Sequence, residues 1–499
     1  MTVSVGWLAL PILLPLLGAV LAVLVGGGRA GRAIASLAGL AVLGVALDLS
    51  AVLLREGPLR APVGGWPEPL GISLVADGPG VLMLTAAALV GTLVSLHALA
   101  SGPAPAPSEA PPRAEGVPEA HVATARWFPP LWLLAWTGIN VVFLSGDLFN
   151  LYVGLEVLGL AAVALIALGG GSAVGAAVRY LLVSVMAAFS WLLGVAILYA
   201  ETGALDLVLV GTTLEAGPGA QVALGLMMGA LLLKTAVFPL HFWLPPAHAS
   251  APALASALLS AVVVKATFVL ALRVWLQVFP VLSADAAGVA IGVLGAVAVL
   301  WGAAQALRQQ RLKLVVAWST VAQVGYLFLA FPMLRGDTSE AALSGSLLFA
   351  ASHALAKAAM FLSAGAVLHA VGTDRLEDLV GLARRLPLTV FTFGLAGVTL
   401  MGLPPSGGFV GKWVLLGAAI GGGPWWIVVV LFAGGLLAAA YVFRILEIVF
   451  RSPTDDAPPL SAPRGAEVAA LLLASAALVL GPFSRLPLLL ASAFPGGAP

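Results

Sequence analysis

The 499-residue chain contains no cysteine. Within this chain that excludes disulfides, cysteine-ligated iron–sulfur clusters, zinc–thiolate sites and a cysteine nucleophile. Charge is also scarce. Asp, Glu, Lys and Arg make up 9% of the residues, where a soluble domain carries about 25%. A net charge of +1 offers no footprint for nucleic acid. What is abundant is apolar: 61% of the residues are hydrophobic and the mean hydropathy is +1.09. The composition is that of an integral membrane protein. The opening "MTVSVGWLALPILLPLLGAVLAVLVGG" has neither a basic leader nor a clean cleavage site. It reads as a first membrane helix rather than a removed signal peptide.

Apolar runs long enough to cross a bilayer core as a helix recur fourteen times. They fall at 6–26, 32–54, 79–100, 127–146, 148–168, 174–199, 220–247, 252–278, 287–307, 312–334, 341–371, 387–418, 424–450 and 465–483. Loops after odd-numbered spans carry Arg29, Arg32, Arg113, Arg126, Arg179, Arg308, Arg311, Lys313, Arg375, Arg384, Arg385, Arg451 and Arg464. Loops after even-numbered spans carry only Arg55, Arg60 and Arg335, with the acids Glu201, Asp206, Glu215 and Asp285. The basic side is the cytoplasmic one, so both termini are expected outside. The segment "SGPAPAPSEAPPRAEGVPEAH" (101–121) reads as a mobile cytoplasmic loop, and no soluble domain is expected elsewhere.

A few ionisable residues lie inside these spans. "LFNLYVGLEVLGLAAVALIAL" (148–168) carries one charge, Glu156, in the fifth span. Lys234 lies in the seventh, Lys265 in the eighth, His353 and Lys357 in the eleventh, and Lys412 in the twelfth. One carboxylate cannot neutralise so many lysines, and unpaired ionisable groups at membrane depth are the mark of a proton path. A low dielectric weakens a lysine's hold on its proton, and a nearby carboxylate strengthens it. Glu156 beside Lys234 would thus act as a switch rather than a static counter-charge. His353 and Lys357, at i and i+4, share a helix face. A histidine there either passes protons or is a hydrogen-bonded structural residue. Asp48 reads as a packing partner in the second span. Arg444 and Glu447, near the end of the thirteenth, read as side chains reaching for the interface.

Two spans cannot be regular helices. "LLLKTAVFPLHFWLPPAHASAP" (231–252) holds Pro239, Pro245, Pro246 and Pro252, and "GLPPSGGFVGKWVLL" (402–416) holds Pro404, Pro405, Gly407, Gly408 and Gly411. Proline removes a helical donor, and irregular backbone at membrane depth must be buried in protein or line a hydrated cavity. Two broken helices, five spans apart and each with a lysine, suggest two inverted repeats, spans 4–8 and 9–13. Lys265 follows Lys234 by 31 residues and Arg444 follows Lys412 by 32. "GGFVGKW" fails as a phosphate loop: its glycine spacing is one short, and tryptophan stands where Ser or Thr would bind magnesium. "HFWLPPAH" has two histidines but no third ligand for a metal.

The stretches "GDLFNLYVGLEVLGL", "LLLKTAVFPLHFWLPPAHASAPALASALLSAVVVK", "ASHALAKAAMFLSAG" and "GLPPSGGFVGKWVLL" resemble the antiporter-like subunits of two kinds of complex. These are the multisubunit Mrp-type cation/proton antiporters, and the proton-pumping arms of respiratory complex I and membrane-bound hydrogenases. The resemblance covers spans 4–13, and the "DLFNLYVGLE" wording is most similar to the D-type Mrp subunit. It implies an all-α polytopic membrane protein of about fourteen helices with two inverted five-helix repeats and broken spans 7 and 12. The segments would be 1–126, 127–278, 287–450 and 465–499. It also implies a proton relay of Glu156, Lys234, Lys265, His353, Lys357 and Lys412, framed by the breaks at Pro239 and Pro245 and at Pro404, Pro405, Gly407 and Gly408. Lys412 disfavours the complex I class that has a glutamate there. Gln323 stands where some relatives have histidine, which puts more of the route on water.

The implied function is proton movement in a Na+/H+ antiporter. The alternatives are a proton-pumping subunit of a complex I-like oxidoreductase or membrane-bound hydrogenase, and a non-transporting scaffold. Under the first reading the chain is a transporter subunit rather than an enzyme and has no cofactor or metal. Its partners would be hydrophobic subunits of the same complex, including a larger antiporter-like chain, the lipid bilayer, protons and Na+ or another monovalent cation. Its place would be a bacterial-type inner membrane.

Overall fold

The structure, a computed structural model, describes residues 5–66, 68–101, 117–282, 285–452 and 460–493. Most of the proline-rich stretch at 101–121, with Arg113, lies outside the described residues. The first helices are α1 (Val5–Leu24), α2 (Gly28–Glu56), α3 (Gly78–Ser101), α4 (Val117–Leu144), α5 (Leu148–Ala167), α6 (Ser172–Thr202) and the short α7 (Leu207–Thr213). The seventh span is α8 (Pro218–Thr235) and α9 (Leu244–Ser250), and the eighth is α10 (Ala253–Leu258) and α11 (Val264–Arg273). The second half has α12 (Asp285–Arg308), α13 (Leu312–Phe328), α14 (Ser339–Val371), the single turn α15 (Leu382–Arg385), α16 (Pro387–Met401), α17 (Gly407–Ile420) and α18 (Trp425–Phe450). Helices α19 (Arg464–Val479) and α20 (Arg485–Ser492) follow.

Each of the fourteen expected spans falls on helix. Among the described residues eleven are helical runs long and apolar enough to cross a bilayer. Two more are the broken spans, and α19 is shorter at 16 residues. One departure from an all-helical chain is a small antiparallel hairpin, β1 (Leu59–Pro62) on β2 (Ser73–Ala76), between α2 and α3. Polar caps start several helices: Asp147 accepts from Asn150 N (2.7 Å) at α5, and Ser406 from Phe409 N (3.1 Å) at α17. The α10–α11 run is buried along its whole length and forms the centre of the bundle. It is interrupted by π-helical turns at Leu259–Val263 and Val274–Val278.

Equivalent contacts recur in the two halves. Leu148 N donates to Leu205 O and Leu207 N to Gly146 O, tying the start of α5 to the end of α6. Leu312 N donates to Asp374 O and Leu376 N to Gln310 O, tying α13 to α14 in the same way. Five crossings separate the two ties, so they lie at opposite faces of the membrane, as inversion requires. The helix breaks also match. Ala236 and Gly402 are both left-handed (φ 60° and 76°), and Val237 N donates to Leu232 O as Leu403 N does to Val398 O.

The match corrects two pairings suggested by spacing. Lys234 lies before its break, on α8, and Lys412 after its break, on α17. The counterpart of Arg444 is Arg273 rather than Lys265. Arg273 donates to Val142 O (3.1 Å) and Phe143 O (2.7 Å) at the end of α4, and Arg444 to Leu307 O (2.5 Å) and Gln309 O (2.8 Å) at the end of α12. Arg444 is thus an anchor between helices. Glu447 pairs with Arg451 at 2.6 Å on the exposed surface. Asp48 accepts from Trp7 Nε1 (2.9 Å), which fits a packing role.

Candidate functional site

The two helices that open and close the first repeat's core bring Glu156 and Lys234 together. Lys234 Nζ lies 3.3 Å from Glu156 Oε1 and donates to Ser184 Oγ at 2.9 Å. Gly159, one turn past Glu156 on α5, leaves room here: a Cβ on it would lie 2.6 Å from Ser184 Oγ. Lys234 is buried, whereas the Glu156 side chain keeps 22% of its surface exposed. Among the described residues no other carboxylate pairs with a lysine of this set.

From Lys234 the polar side chains continue inward. Its neighbour Thr235 donates to Thr267 Oγ1 (2.8 Å) on α11, two residues past Lys265. Lys265 Nζ donates to the Ser260 carbonyl in the first π turn, where the widened helix frees an acceptor. Ser260 Oγ meets Thr320 Oγ1 of α13 at 2.8 Å, which crosses from one repeat to the other. Thr320 Oγ1 lies 3.1 Å from Val316 O, the carbonyl that accepts from Lys357 Nζ at 2.7 Å. Lys357 also donates to Ser319 Oγ. The Tyr441 hydroxyl stands beside Ser319 and Gln323, and Gln323 Nε2 donates to it and to Leu400 O, each at 3.1 Å. Lys412 Nζ donates to the same Leu400 carbonyl at 3.0 Å and lies 4.2 Å from the centre of the Tyr326 ring.

Lys234, Lys265, Lys357 and Lys412 therefore lie along a series of buried hydroxyls and carbonyls, with the partly exposed Glu156 at one end. His353 is stacked on Phe349 at 5.8 Å, with neither ring nitrogen hydrogen-bonded to a described residue. The prolines do what their chemistry requires: Pro239 falls in the turn between α8 and α9, Pro245 in the first turn of α9, and Pro404 and Pro405 between α16 and α17. Gly407 and Gly408 open α17 where a Cβ would meet Leu480 at 2.8 Å and Thr399 O at 2.2 Å.

Sequence reading missed the residues between the charges: Ser184, Ser260, Ser319, Thr320 and Tyr441. It also placed Lys313 among loop charges. Lys313 is buried in the first turn of α13, and its Nζ donates to Ala251 O (2.6 Å) and Ala249 O (3.3 Å), which fixes the end of the broken seventh span. A lysine two residues into an apolar run was the available signal. The buried pair Asp77–Arg273 (2.6 Å) was missed as well. It lines a cavity of about 140 Å³ with Arg60 and Ser145 at the face of the even-numbered loops. Among the described residues no three His, Asp or Glu side chains gather as a metal site.

Residues 145–438 match the family described as NADH:quinone oxidoreductase/Mrp antiporter, transmembrane. The chain is 37% identical to NADH-quinone oxidoreductase subunit N of Desulforudis audaxviator, over 82% of this chain and 79% of that one. It is 29% identical to the D-type subunit of a Na(+)/H(+) antiporter from Alkalihalophilus pseudofirmus, over 82% and 80%. Its fold is similar to a chain of the Mrp complex from a Dietzia species, with a TM-score of 0.86 over 98% of this chain and 97% of that one at 24% identity.

Proposed function

The chain belongs to the NADH:quinone oxidoreductase/Mrp antiporter family of membrane subunits, and from that premise we propose that it passes protons along Glu156, Lys234, Lys265, His353, Lys357 and Lys412. The observation that carries this reading is the polar strip just described: lysines spaced by hydroxyls and carbonyls, with one acid at one end. The acid gives direction. While Glu156 stays beside Lys234 the charge is held there. When the carboxylate turns away or takes a proton, Lys234 gives up its own. The hydroxyls of Thr235, Thr267, Ser260 and Thr320 then stand between the first repeat and the second.

The finer reading is a D-type subunit of a Na+/H+ antiporter in a bacterial inner membrane, with both termini outside and sodium moving elsewhere in the complex. Lysines at 357 and 412 and the 29% identity to a D-type antiporter subunit support it. The second reading is a proton channel of a redox-driven complex, supported by the 37% identity to a subunit N. In either case the chain works as one membrane subunit beside others and carries no cofactor of its own. Mass spectrometry of the complex co-purified with the tagged chain separates the two readings. A larger antiporter-like chain without flavin or iron–sulfur proteins supports the first, and their presence the second. Glu156→Ala should then abolish cation-driven proton flux in everted vesicles while the complex stays assembled, and Glu156→Asp should keep part of it. Unchanged flux in Glu156→Ala would support a scaffold and end the relay reading.

A further inference from the structure

Arg273 is the last residue of α11, the helix that carries Lys265. Lys265, Val269 and Arg273 follow at i, i+4 and i+8, along one side of that helix. The rise between the two basic residues is about 12 Å. Arg273 lines the cavity of about 140 Å³ at the face of the even-numbered loops, together with Arg60, Asp77, Ser145 and Gln277. That face is the outer one expected from loop charge. The cavity is polar enough and large enough for several waters. Its lining includes Val208, which is 41% exposed. Arg273 itself is buried, so it stands between a pocket that reaches the surface and a lysine of the relay.

Its guanidinium is saturated. Nη2 donates to Asp77 Oδ1 (2.6 Å) and Phe143 O (2.7 Å), Nη1 to Val142 O (3.1 Å) and Ser145 O (3.5 Å), and Nε to Asp77 Oδ2 (3.2 Å). These contacts account for all five of its N–H groups. The seat fits that group closely: a Cβ on Gly80 would come 2.5 Å from Nη2. The other charges around the pocket are tied as well. Arg60 pairs with Asp206 and Glu68, and Asp77 also accepts from Gly80 N at 2.8 Å. Desolvation loosens the proton of an ammonium, whereas a guanidinium keeps its own. The basic groups along the relay are lysines, and the one between the relay and this pocket is an arginine.

We propose that Arg273 is an insulator: it ends the proton path at the outer face of the first repeat by placing, between the pocket and Lys265, a charge that cannot be handed on. The inference rests on the proton-path reading and adds to it a residue that acts by not titrating. An anchor needs only the contacts to α4 and Asp77. An insulator needs a group that never releases a proton, so the chemistry at position 273 matters apart from its contacts.

The test is the decay of an imposed pH gradient across vesicles carrying the intact complex, with no cation gradient and no redox substrate. Arg273→Lys keeps the charge beside Asp77 but puts a releasable proton in the seat, and a side chain there points back along α11 toward Lys265. It should speed the decay about tenfold. Arg273→Met combined with Asp77→Leu removes both charges, and a buried ion pair so replaced is often tolerated. With no titratable group at either position, this variant should stay as tight as the parent. The proposal is overturned if Arg273→Lys is as tight as the parent, or if the apolar variant leaks as much as Arg273→Lys. Should either variant fail to assemble, the absence of cysteine from the chain permits a second measurement on intact cells. Val208→Cys should react with a small membrane-impermeant thiol reagent, and Val269→Cys, one turn inward of Arg273, should not. Equal reaction at both positions overturns the proposal, as does no reaction at Val208→Cys because a neighbouring subunit covers the pocket. Cation-driven flux measured in parallel keeps the two readings apart. Normal flux in the parent with a tight Arg273→Lys complex counts against the insulator alone, and a leaking Arg273→Lys complex whose parent does not transport counts against transport alone.

Discussion

The two five-helix repeats share a frame and differ in where they put charge. Glu156 lies nine residues past Asp147, the residue tied to Asp206 in the first repeat. Nine past Arg311, tied to Arg375 in the second, is Thr320. Ser184 lies 22 residues before Asp206, and His353 lies 22 before Arg375. Lys234 comes two residues before the left-handed Ala236, and Leu400 two before the left-handed Gly402. So the set Glu156, Ser184 and Lys234 corresponds to Thr320, His353 and Leu400. The second repeat has an uncharged residue where the first has its lysine, and Lys412 returns from the next half-helix to donate to that residue's carbonyl. An acid and a lysine facing each other hold charge in place, whereas a lysine on a carbonyl is free of a fixed counter-ion. Under the proposed proton path, the same frame would hold a proton in one half and release it in the other.

The sharpest way to break the comparison is to make the first break like the second. Lys234→Leu should lower proton flux about 100-fold, the scale of losing a positioned proton-transfer group, in vesicles carrying normal amounts of complex. If flux survives, the holding site is not where the comparison puts it. The converse change moves the second lysine to the place used by the first. Lys412→Ala alone should be as damaging as Lys234→Leu, and Leu400→Lys added to it should recover flux to within about tenfold of the parent. No recovery would mean that the half-helix carrying Lys412 matters beyond the position of its charge.

The anchoring arginines offer a stability contrast. Arg273→Ala leaves Asp77 buried and unpaired, at a cost of about 3–5 kcal/mol. Arg444→Ala strands only carbonyls and the Gln310 side chain, at about 1–3 kcal/mol. Thermal unfolding of the purified complex should rank them in that order, and equal losses would erase the asymmetry. The smallest effect is expected at the crossing between repeats. Thr320→Val removes the hydroxyl contacts to Ser260 and Val316 O, each worth about 1 kcal/mol, and should slow flux several-fold while Thr320→Ser restores it. A Thr320→Val complex with normal flux would take the Ser260–Thr320 contact out of the path.

Glu156, Lys234, Lys265 and Lys412 were legible because a charge in an apolar run has no local explanation. Pro239 and Pro404 were legible because proline cannot donate. The hydroxyls were not. Serines and threonines in helices commonly bond back to a carbonyl four residues earlier, as Thr320 does to Val316, so nothing in the sequence sets Thr320 apart from Thr92 or Thr137. Asp77 and Arg273 lie far apart in the chain, and neither sits in a motif. Spacing mispaired Lys234 with Lys412 and Lys265 with Arg444 because Lys234 precedes the break in its span while Lys412 follows the break in its own. Only the matched hydrogen bonds at the breaks set the register. Lys313 was misread because a helix start looks like a loop charge until the fold shows what it reaches.

In the contact between Ser260 and Thr320 either hydroxyl can donate. Such a pair has two orientations, and a proton handed across it leaves both groups turned the opposite way. Before a second proton can follow in the same direction, both must rotate back. On the proposed proton path, the seam between the two halves would keep a one-step record of the last passage in the orientation of that pair.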